Sequence, residues 1–314
     1  MRHPLPAKEI PSPLPDQIHN QVVRVRHPGY DDAGNTLLSF PAVDDHGEGQ
    51  QQELGGVHAQ LVYTACTIVS GNKHGFLSRD KSGTDIAWKP QSSAATECDQ
   101  VLRAGDYYFH VSSPPPTAAA GPSTTPLAAV PDLRNPYAVC PTFREWQPPA
   151  HIPESFHASV TDNRQPPPPG ARTIDSRCYV TAETDAIECA HMVPLGEVDW
   201  FGANAMWNHH PPTLRVGKEA INKHGNLILL RRDIHYLFDS SHFTIFPRRD
   251  ENDAYQPTVH VLTTEAPSLY KEYHGRCLRP LRGISAHFLF ARFAWSIFPL
   301  VRGFFQAGVT RSVL

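Results

Sequence analysis

Two polar side chains in one short segment are the first candidates for chemistry. His235 and Asp239 lie four residues apart in 231–239, where the apolar residues have helical spacing. Both should therefore share one helix face, about one turn apart. An imidazole and a carboxylate placed in this way can hold one divalent cation. The spacing also suits a surface histidine with its salt-bridge partner, so the pair alone leaves both interpretations open.

The segments before this helix contribute two more polar residues. His191 ends an apolar strand just before Pro194, and Asn226 begins a second apolar segment that leads into the helix. A turn near 183–185 separates two stretches of β-forming residues, which should pair as a hairpin. We expect strands at 177–181, 187–194, 226–230, 242–247 and 258–262, a helix at 231–239, and helical structure at 267–306.

Several short motifs in this half of the chain occur in one order. Residues 172–305 resemble the HNH endonuclease superfamily, and in particular the HNH-domain proteins of filamentous fungi. The resemblance implies a ββα-metal fold and metal-dependent hydrolysis of phosphodiester bonds in nucleic acid, with DNA as the expected substrate. The motifs that carry it are CYVT (178–181), AHMVP (190–194), NLILLRRDIHYLFD (226–239), FTIFP (243–247) and FARFAWSIF (290–298).

The resemblance also implies roles for individual residues. His191 would be the general base, because an imidazole with an ordinary pKa near 6.5 accepts protons around neutral pH. Asn226 would hold the loop that orients this base. His235 and Asp239 would bind one divalent cation, with Mg²⁺ as the first expectation and Mn²⁺ or Zn²⁺ as alternatives.

The surroundings of these residues add candidates and one departure. Arg231 and Arg232 are candidate contacts to phosphate, although both also suit a solvated start of the helix. Many superfamily members carry a metal ligand just before the base, whereas this chain has Ala190. Glu188 should point to the same strand face as Ala190, which makes it a candidate replacement. Because Ala190 cannot bind metal, a catalytically inert HNH scaffold that binds nucleic acid or protein remains the alternative function.

The chain as a whole is predicted to be an α+β protein. Its 314 residues carry a net charge of −3, which excludes nucleic-acid binding through bulk positive charge. The 31 prolines concentrate between 111 and 170, where they predict an extended linker, although 141–146 are more mixed in composition and could dock onto a domain. We expect a disordered N-terminus (1–17), a β-rich domain (18–112) with strands at 21–26, 60–69 and 106–111, a Pro-rich linker (113–170), an HNH domain (171–266), a helical extension (267–306) and a tail (307–314).

The partners and location follow from weaker features. The β-rich domain should bind a protein partner that the sequence does not identify. The first residues have no apolar core of a signal peptide, so we expect an intracellular protein with reduced cysteines, in either nucleus or cytoplasm. The stretch 284–301 is apolar over the length of a membrane span, but it contains His287 and Arg292. We therefore expect a buried helix and no membrane span, with membrane anchoring as a third alternative.

Overall fold

The computed structural model contains both sheets and helices, as expected for an α+β protein. The predicted N-terminus (1–17) and the parts 113–135 and 162–170 of the predicted linker lie outside the described residues. The structure describes residues 21–31, 34–44, 55–90, 100–112, 136–161 and 177–314.

The N-terminal part is built on a mixed five-stranded sheet. The strands of this part are β1 (Val22–Arg26), β2 (Thr36–Pro41), β3 (Gly56–His58), β4 (Gly75–Ser78), β5 (Ile86–Trp88), β6 (Val101–Arg103) and β7 (Gly105–Val111). The five-stranded sheet has the order β2-β1-β7-β4-β5, with β1 and β7 parallel and the other neighbours antiparallel, while β3 and β6 form a separate pair. The strands predicted at 21–26 and 106–111 are present.

The strand predicted at 60–69 is wrong, because this segment is a helix. Helix α1 spans Ala59–Val69, and nearly all of its side chains are buried. A short apolar run that is buried on all sides lacks the polar face that distinguishes a helix from a strand. The β-branched residues in this run favour a strand locally, but burial of the segment in the core outweighs this preference and stabilises a helix.

The middle of the predicted linker, residues 136–161, is ordered and packed, so the prediction of an extended linker is wrong there, whereas the docking expected for 141–146 is confirmed. This segment contains helix α2 (Glu154–Ala158) and strand β8 (Val160–Thr161). Trp146 is fully buried, donates from its indole N–H to Asn72 Oδ1 at 2.9 Å, and stacks at 5.9 Å on Trp200. Large aromatic side chains bury enough apolar surface to hold a Pro-rich segment in the core.

The C-terminal part contains the elements that position the candidate site. These elements are β9 (Ile187–His191), α3 (Val198–Ala203), β10 (Leu227–Arg231), α4 (Arg232–Asp239), β11 (Phe243–Arg249), β12 (Tyr255–Val261), α5 (Pro267–Tyr273), β13 (Leu281–Arg282), α6 (Ala286–Ile297) and α7 (Arg302–Gln306). Strand β9 pairs antiparallel with β10, β11 pairs antiparallel with β12, and β13 runs parallel to β8. Short 3₁₀ turns fill most of the segment between β9 and β10.

The hairpin predicted between 177–181 and 187–194 is wrong. Residues 178–183 form a tight turn, in which the Cys178 N–H donates to the Glu183 carbonyl at 2.8 Å and Ala182 has a positive φ of 60°. Strand β9 pairs instead with β10, in a register that places His191 opposite Leu227. The two strands and α4 still follow one another as strand, strand and helix, but a long insert (residues 192–226) separates the strands.

The helical structure predicted at 267–306 is wrong for 274–285, which contains β13, and the helices that follow this segment belong to the core. The segment Ala286–Gln306 has 21 residues, and its most apolar window of 18 residues has a mean hydropathy of 1.3. Among the described residues it alone has the length and composition of a membrane span. Within its most apolar window 67% is buried in the protein, as in a core helix. The predicted tail 307–314 is also packed, because the Val139 N–H donates to the Ser312 carbonyl at 3.0 Å and the Leu314 N–H to the Val139 carbonyl at 3.2 Å.

Candidate active site

The base candidate, His191, is the last residue of β9 and is half-buried. Its Nε2 lies 3.1 Å from Oδ1 of Asn222, which belongs to a 3₁₀ turn in the insert. A carbonyl oxygen only accepts hydrogen bonds, so Nε2 is the protonated nitrogen and Nδ1 carries the free lone pair. Asn222 thereby sets the tautomer that a general base requires.

Asn226 fixes the backbone that follows the base candidate. Its amide is fully buried, with Oδ1 accepting from the Val193 N–H at 2.8 Å and Nδ2 donating to the Val193 carbonyl at 3.0 Å. Nδ2 also donates to the Ile221 carbonyl at 2.9 Å. The Asn226 carbonyl accepts from the Met192 N–H at 2.8 Å. One side chain therefore ties both ends of the insert together, directly after His191.

The loss of these bonds gives a first expected result. Asn226→Ala should lower the free energy of unfolding by about 2–3 kcal/mol, since each of the three side-chain hydrogen bonds contributes about 1 kcal/mol and their backbone partners would stay buried. Urea unfolding followed by circular dichroism measures this. Asn222→Ala, at an exposed position with one such bond, is the matched control, and an equal loss in both variants would contradict the role of Asn226.

The cation candidates His235 and Asp239 lie on one face of α4, as predicted. Nε2 of His235 and Oδ2 of Asp239 are 3.1 Å apart. Two adjacent ligands of an octahedral ion lie about 3 Å from each other when each is about 2.1 Å from the metal. The two atoms therefore fit a shared divalent cation, which would need water or phosphate oxygens to complete its shell.

Glu188 contacts the other edge of the His235 ring. Its Oε2 lies 3.0 Å from Nδ1, and its Oε1 accepts from Arg232 Nε at 2.7 Å. Arg232, followed by His235, lowers the pKa of the Glu188 carboxyl, so this group is ionised at neutral pH. A carboxylate on the far nitrogen orients a metal-binding histidine. Glu188 thus does not replace the ligand that is lost at Ala190, which is itself fully buried.

The two candidate phosphate contacts differ in their surroundings. Arg231 is engaged by Asp233 through two hydrogen bonds of 2.7 and 2.8 Å, and its side chain is only 27% exposed. Arg232 extends into solvent, with 79% of its side chain exposed, and is held only at one edge by Glu188. Arg232 is therefore the better placed of the two to meet a phosphate.

A buried arginine connects the base candidate to the cation candidates. Arg292 of α6 is completely buried; its Nη1 donates to the His191 carbonyl at 3.4 Å and to Asp239 Oδ1 at 3.3 Å. Burial lowers the pKa of Arg292 to about 10, against the opposing effect of Asp239, so the side chain stays charged at neutral pH. The end of β9 and the end of α4 are thus held by one guanidinium.

A second group of metal-ligating side chains lies outside this site. Asp44, His260 and His274 are buried and offer ligand atoms within 4.8 Å of one another. Arg248 already supplies the positive charge there, with Nη1 at 2.7 Å and Nη2 at 2.8 Å from the two Asp44 oxygens. His274 accepts from the Val261 N–H at Nδ1, so its Nε2 donates to Asp44 at 2.9 Å and has no free lone pair. This donor set fits an ion-pair junction better than a metal.

Sequence reasoning missed three of these residues. Asn222 lies in an irregular insert whose spacing carries no periodic signal. Arg292 could have been found as the one charged residue in an apolar helix, since a buried charge needs a partner. Asp44 follows β2 and meets its partners from the distant C-terminal part. His210 of the insert is buried as well.

Comparison with known proteins identifies one segment. Residues 174–245 match the family model HNH_2, described as HNH endonuclease. The match spans β9, the insert, β10 and α4, and it ends before Arg292. Neither the curated proteins nor the solved structures gave a significant match. The match supports the superfamily for this segment, which we call the HNH unit (residues 174–245), whereas the closer likeness to fungal HNH-domain proteins stays a prediction.

Proposed function

We propose that the HNH unit is a metal-dependent nuclease that hydrolyses phosphodiester bonds in DNA. The arrangement of β9 and α4 carries the proposal. An imidazole whose tautomer is set by a neighbouring amide ends the strand, and an imidazole–carboxylate pair with 3.1 Å between its ligand atoms lies on the helix. The HNH endonuclease match over the same residues points to the same chemistry.

Each side chain of the site has its own role in the proposed reaction. His191 takes a proton from water at Nδ1, the water oxygen attacks phosphorus, and the bond to the leaving oxygen breaks. Asn222 and Asn226 hold the base and its loop, and Glu188 holds the His235 ring. His235 and Asp239 would hold a divalent cation, which would supply positive charge to offset the negative charge that grows on the phosphate in the transition state.

An exposed arginine near the cation pair suits a nucleic-acid substrate. Arg232 begins α4 on the same helix as the cation pair and extends into solvent. We propose it as a contact to the DNA backbone, with Arg231 restricted to holding the helix start through Asp233. The net charge of −3 makes this a local electrostatic contact and not a property of the whole protein. The setting we propose is intracellular.

Cleavage of a supercoiled plasmid by the full chain tests the proposal. Nicking should require Mg²⁺ or Mn²⁺ and stop with EDTA. His235→Ala should abolish both nicking and Mn²⁺ binding measured by calorimetry, because it removes one of two protein ligands. His224→Ala, an exposed histidine of the same unit, should leave both unchanged. Unaltered Mn²⁺ binding and nicking in His235→Ala would contradict this assignment of the cation site.

One observation favours a second function. The position before the base is the fully buried Ala190, so the site offers two protein ligands where many related proteins have a third. An inert HNH scaffold that binds nucleic acid or protein is consistent with this loss. Such a scaffold would bind DNA without cutting it in any divalent metal, and its DNA binding would be the same with EDTA.

A further inference from the structure

Arg292 is a charged residue inside the apolar helix α6, and its terminal nitrogens contact the candidate active site. Nη1 donates to the His191 carbonyl at 3.4 Å, and both terminal nitrogens lie 3.3 Å from Asp239 Oδ1. Nη2 also donates to the Phe238 carbonyl. The Phe238 ring covers the guanidinium, with 3.5 Å between the Arg292 Cζ and the ring centroid.

These contacts join two segments that are far apart in sequence. The His191 carbonyl belongs to the residue that carries the base, and Asp239 carries a cation ligand. Because Arg292 holds Oδ1 of Asp239, Oδ2 is left facing His235 Nε2. The planar guanidinium fixes the relative position of these groups in a way that a single ammonium cannot. The geometry of the base and the cation pair therefore depends on one side chain.

Stability alone is a weak reason for such a residue. A fully buried charge loses its hydration, and well-packed apolar residues of similar volume often replace a buried ion pair without loss of stability. Arg292 Nε has no hydrogen-bond partner among the described residues, so the helix is not built to satisfy the whole side chain. Among the described residues, every hydrogen bond of the guanidinium goes to the residues that end β9 and α4.

We propose that Arg292 is a positioning residue of the nuclease, and that α6 is part of its catalytic unit although it lies beyond residues 174–245. The inference rests on the proposed function. Arg292 does not touch the reacting atoms. It acts through Asp239, whose free oxygen it orients, and through the backbone of His191.

The test holds the charge constant and changes the geometry. Arg292→Lys keeps one positive charge but loses the planar fork. Calorimetry without DNA should show about tenfold weaker Mn²⁺ binding, a loss typical of groups that orient metal ligands. At saturating Mn²⁺, kcat for plasmid nicking should fall at least tenfold, while KM for DNA stays within about twofold because the DNA-facing surface is unchanged.

A matched control separates positioning from loss of a buried arginine. Arg311 is also buried; it donates to the Phe304 carbonyl at 3.1 Å and to the Gly34 carbonyl at 2.9 Å, and it lies over the Phe304 and Tyr30 rings. Arg311→Lys should leave Mn²⁺ binding and kcat unchanged. If Arg292→Lys does not fold, Arg292→Met replaces it, since an apolar side chain fits the buried site, and the kcat loss at saturating Mn²⁺ should be the same.

The outcomes distinguish this inference from the proposed function. Weak Mn²⁺ binding and slow nicking in Arg292→Lys, with normal Arg311→Lys, support positioning. If the wild type binds Mn²⁺ and nicks DNA but Arg292→Lys does so equally well, or if both lysine variants are equally impaired, the positioning role is overturned and the nuclease stands. If the wild type neither binds Mn²⁺ nor nicks DNA, the nuclease is overturned and the inference with it.

Discussion

His191→Ala should lower kcat for plasmid nicking about 10³-fold, within the range that a positioned general base contributes. The residue ends β9, and its Nε2 is held by Asn222, so alanine removes the one nitrogen that accepts the proton from water. The backbone bonds that hold the following segment through Asn226 do not use the imidazole. The thermal midpoint should therefore stay close to that of the wild type.

The design of this experiment separates catalysis from metal binding. Nicking is followed by gel electrophoresis at saturating Mn²⁺, and Mn²⁺ affinity is measured on the same preparations. Because His191 is not a cation ligand, Mn²⁺ affinity should be unchanged in His191→Ala, in contrast to His235→Ala. His224→Ala controls for removal of an imidazole from the same unit. A His191→Ala protein that nicks DNA at the wild-type rate would exclude His191 as the base.

The local structure around the site could largely be predicted from the sequence. Strand β10 follows a short continuous run of apolar residues, and helix α4 follows the helical spacing of its apolar residues. The His-x-x-x-Asp spacing brings two ligand atoms to 3.1 Å. The partner of β9 could not be predicted in this way. Adjacent β-forming segments suggested a local hairpin, whereas the pairing strand comes after an insert whose ends Asn226 joins.

The rest of the site depends on contacts over long sequence distances. Asn222 and Arg292 reach His191 from an irregular turn and from an apolar helix, and neither position has a spacing that indicates chemistry. The helix α1 was misassigned for a related reason, because an apolar run that is buried on all sides has no periodic pattern. Burial in the tertiary structure determines the contacts of Asn222 and Arg292 and the conformation of α1, and a single sequence does not show this burial directly.

One buried carboxylate joins the N-terminal sheet to the C-terminal part. Asp44 follows β2 and accepts from both terminal nitrogens of Arg248 on β11, from His274 after α5, and from the His58 N–H at 2.8 Å. Burial alone would raise the pKa of Asp44, but Arg248, His260 and His274 outweigh it and hold the pKa well below 3.8. The carboxylate is therefore ionised in the folded protein at neutral pH.

Asp44→Asn should lower the free energy of unfolding by about 3–5 kcal/mol at pH 7, because the Arg248 charge would stay buried without its counterion. Urea unfolding followed by tryptophan fluorescence measures this. Asp106→Asn is the matched control, since Asp106 pairs with Arg26 on the surface with 45% of its side chain exposed. Exposed pairs contribute about 1 kcal/mol or less. Equal losses in the two variants would show that the Asp44 cluster does not hold the junction.

The pH dependence gives the same prediction an independent check. A carboxyl group whose pKa is lower in the folded than in the unfolded protein stabilises the fold at every pH above its unfolded pKa, and this contribution disappears as the pH falls through the folded pKa. The difference in the free energy of unfolding between wild type and Asp44→Asn should therefore have its full size at both pH 7 and pH 5. It should narrow only below about pH 4, near the ordinary pKa of an aspartate. A difference in the free energy of unfolding that already vanishes at pH 5 would mean that Asp44 is protonated there, and would contradict a pKa lowered by the pair with Arg248.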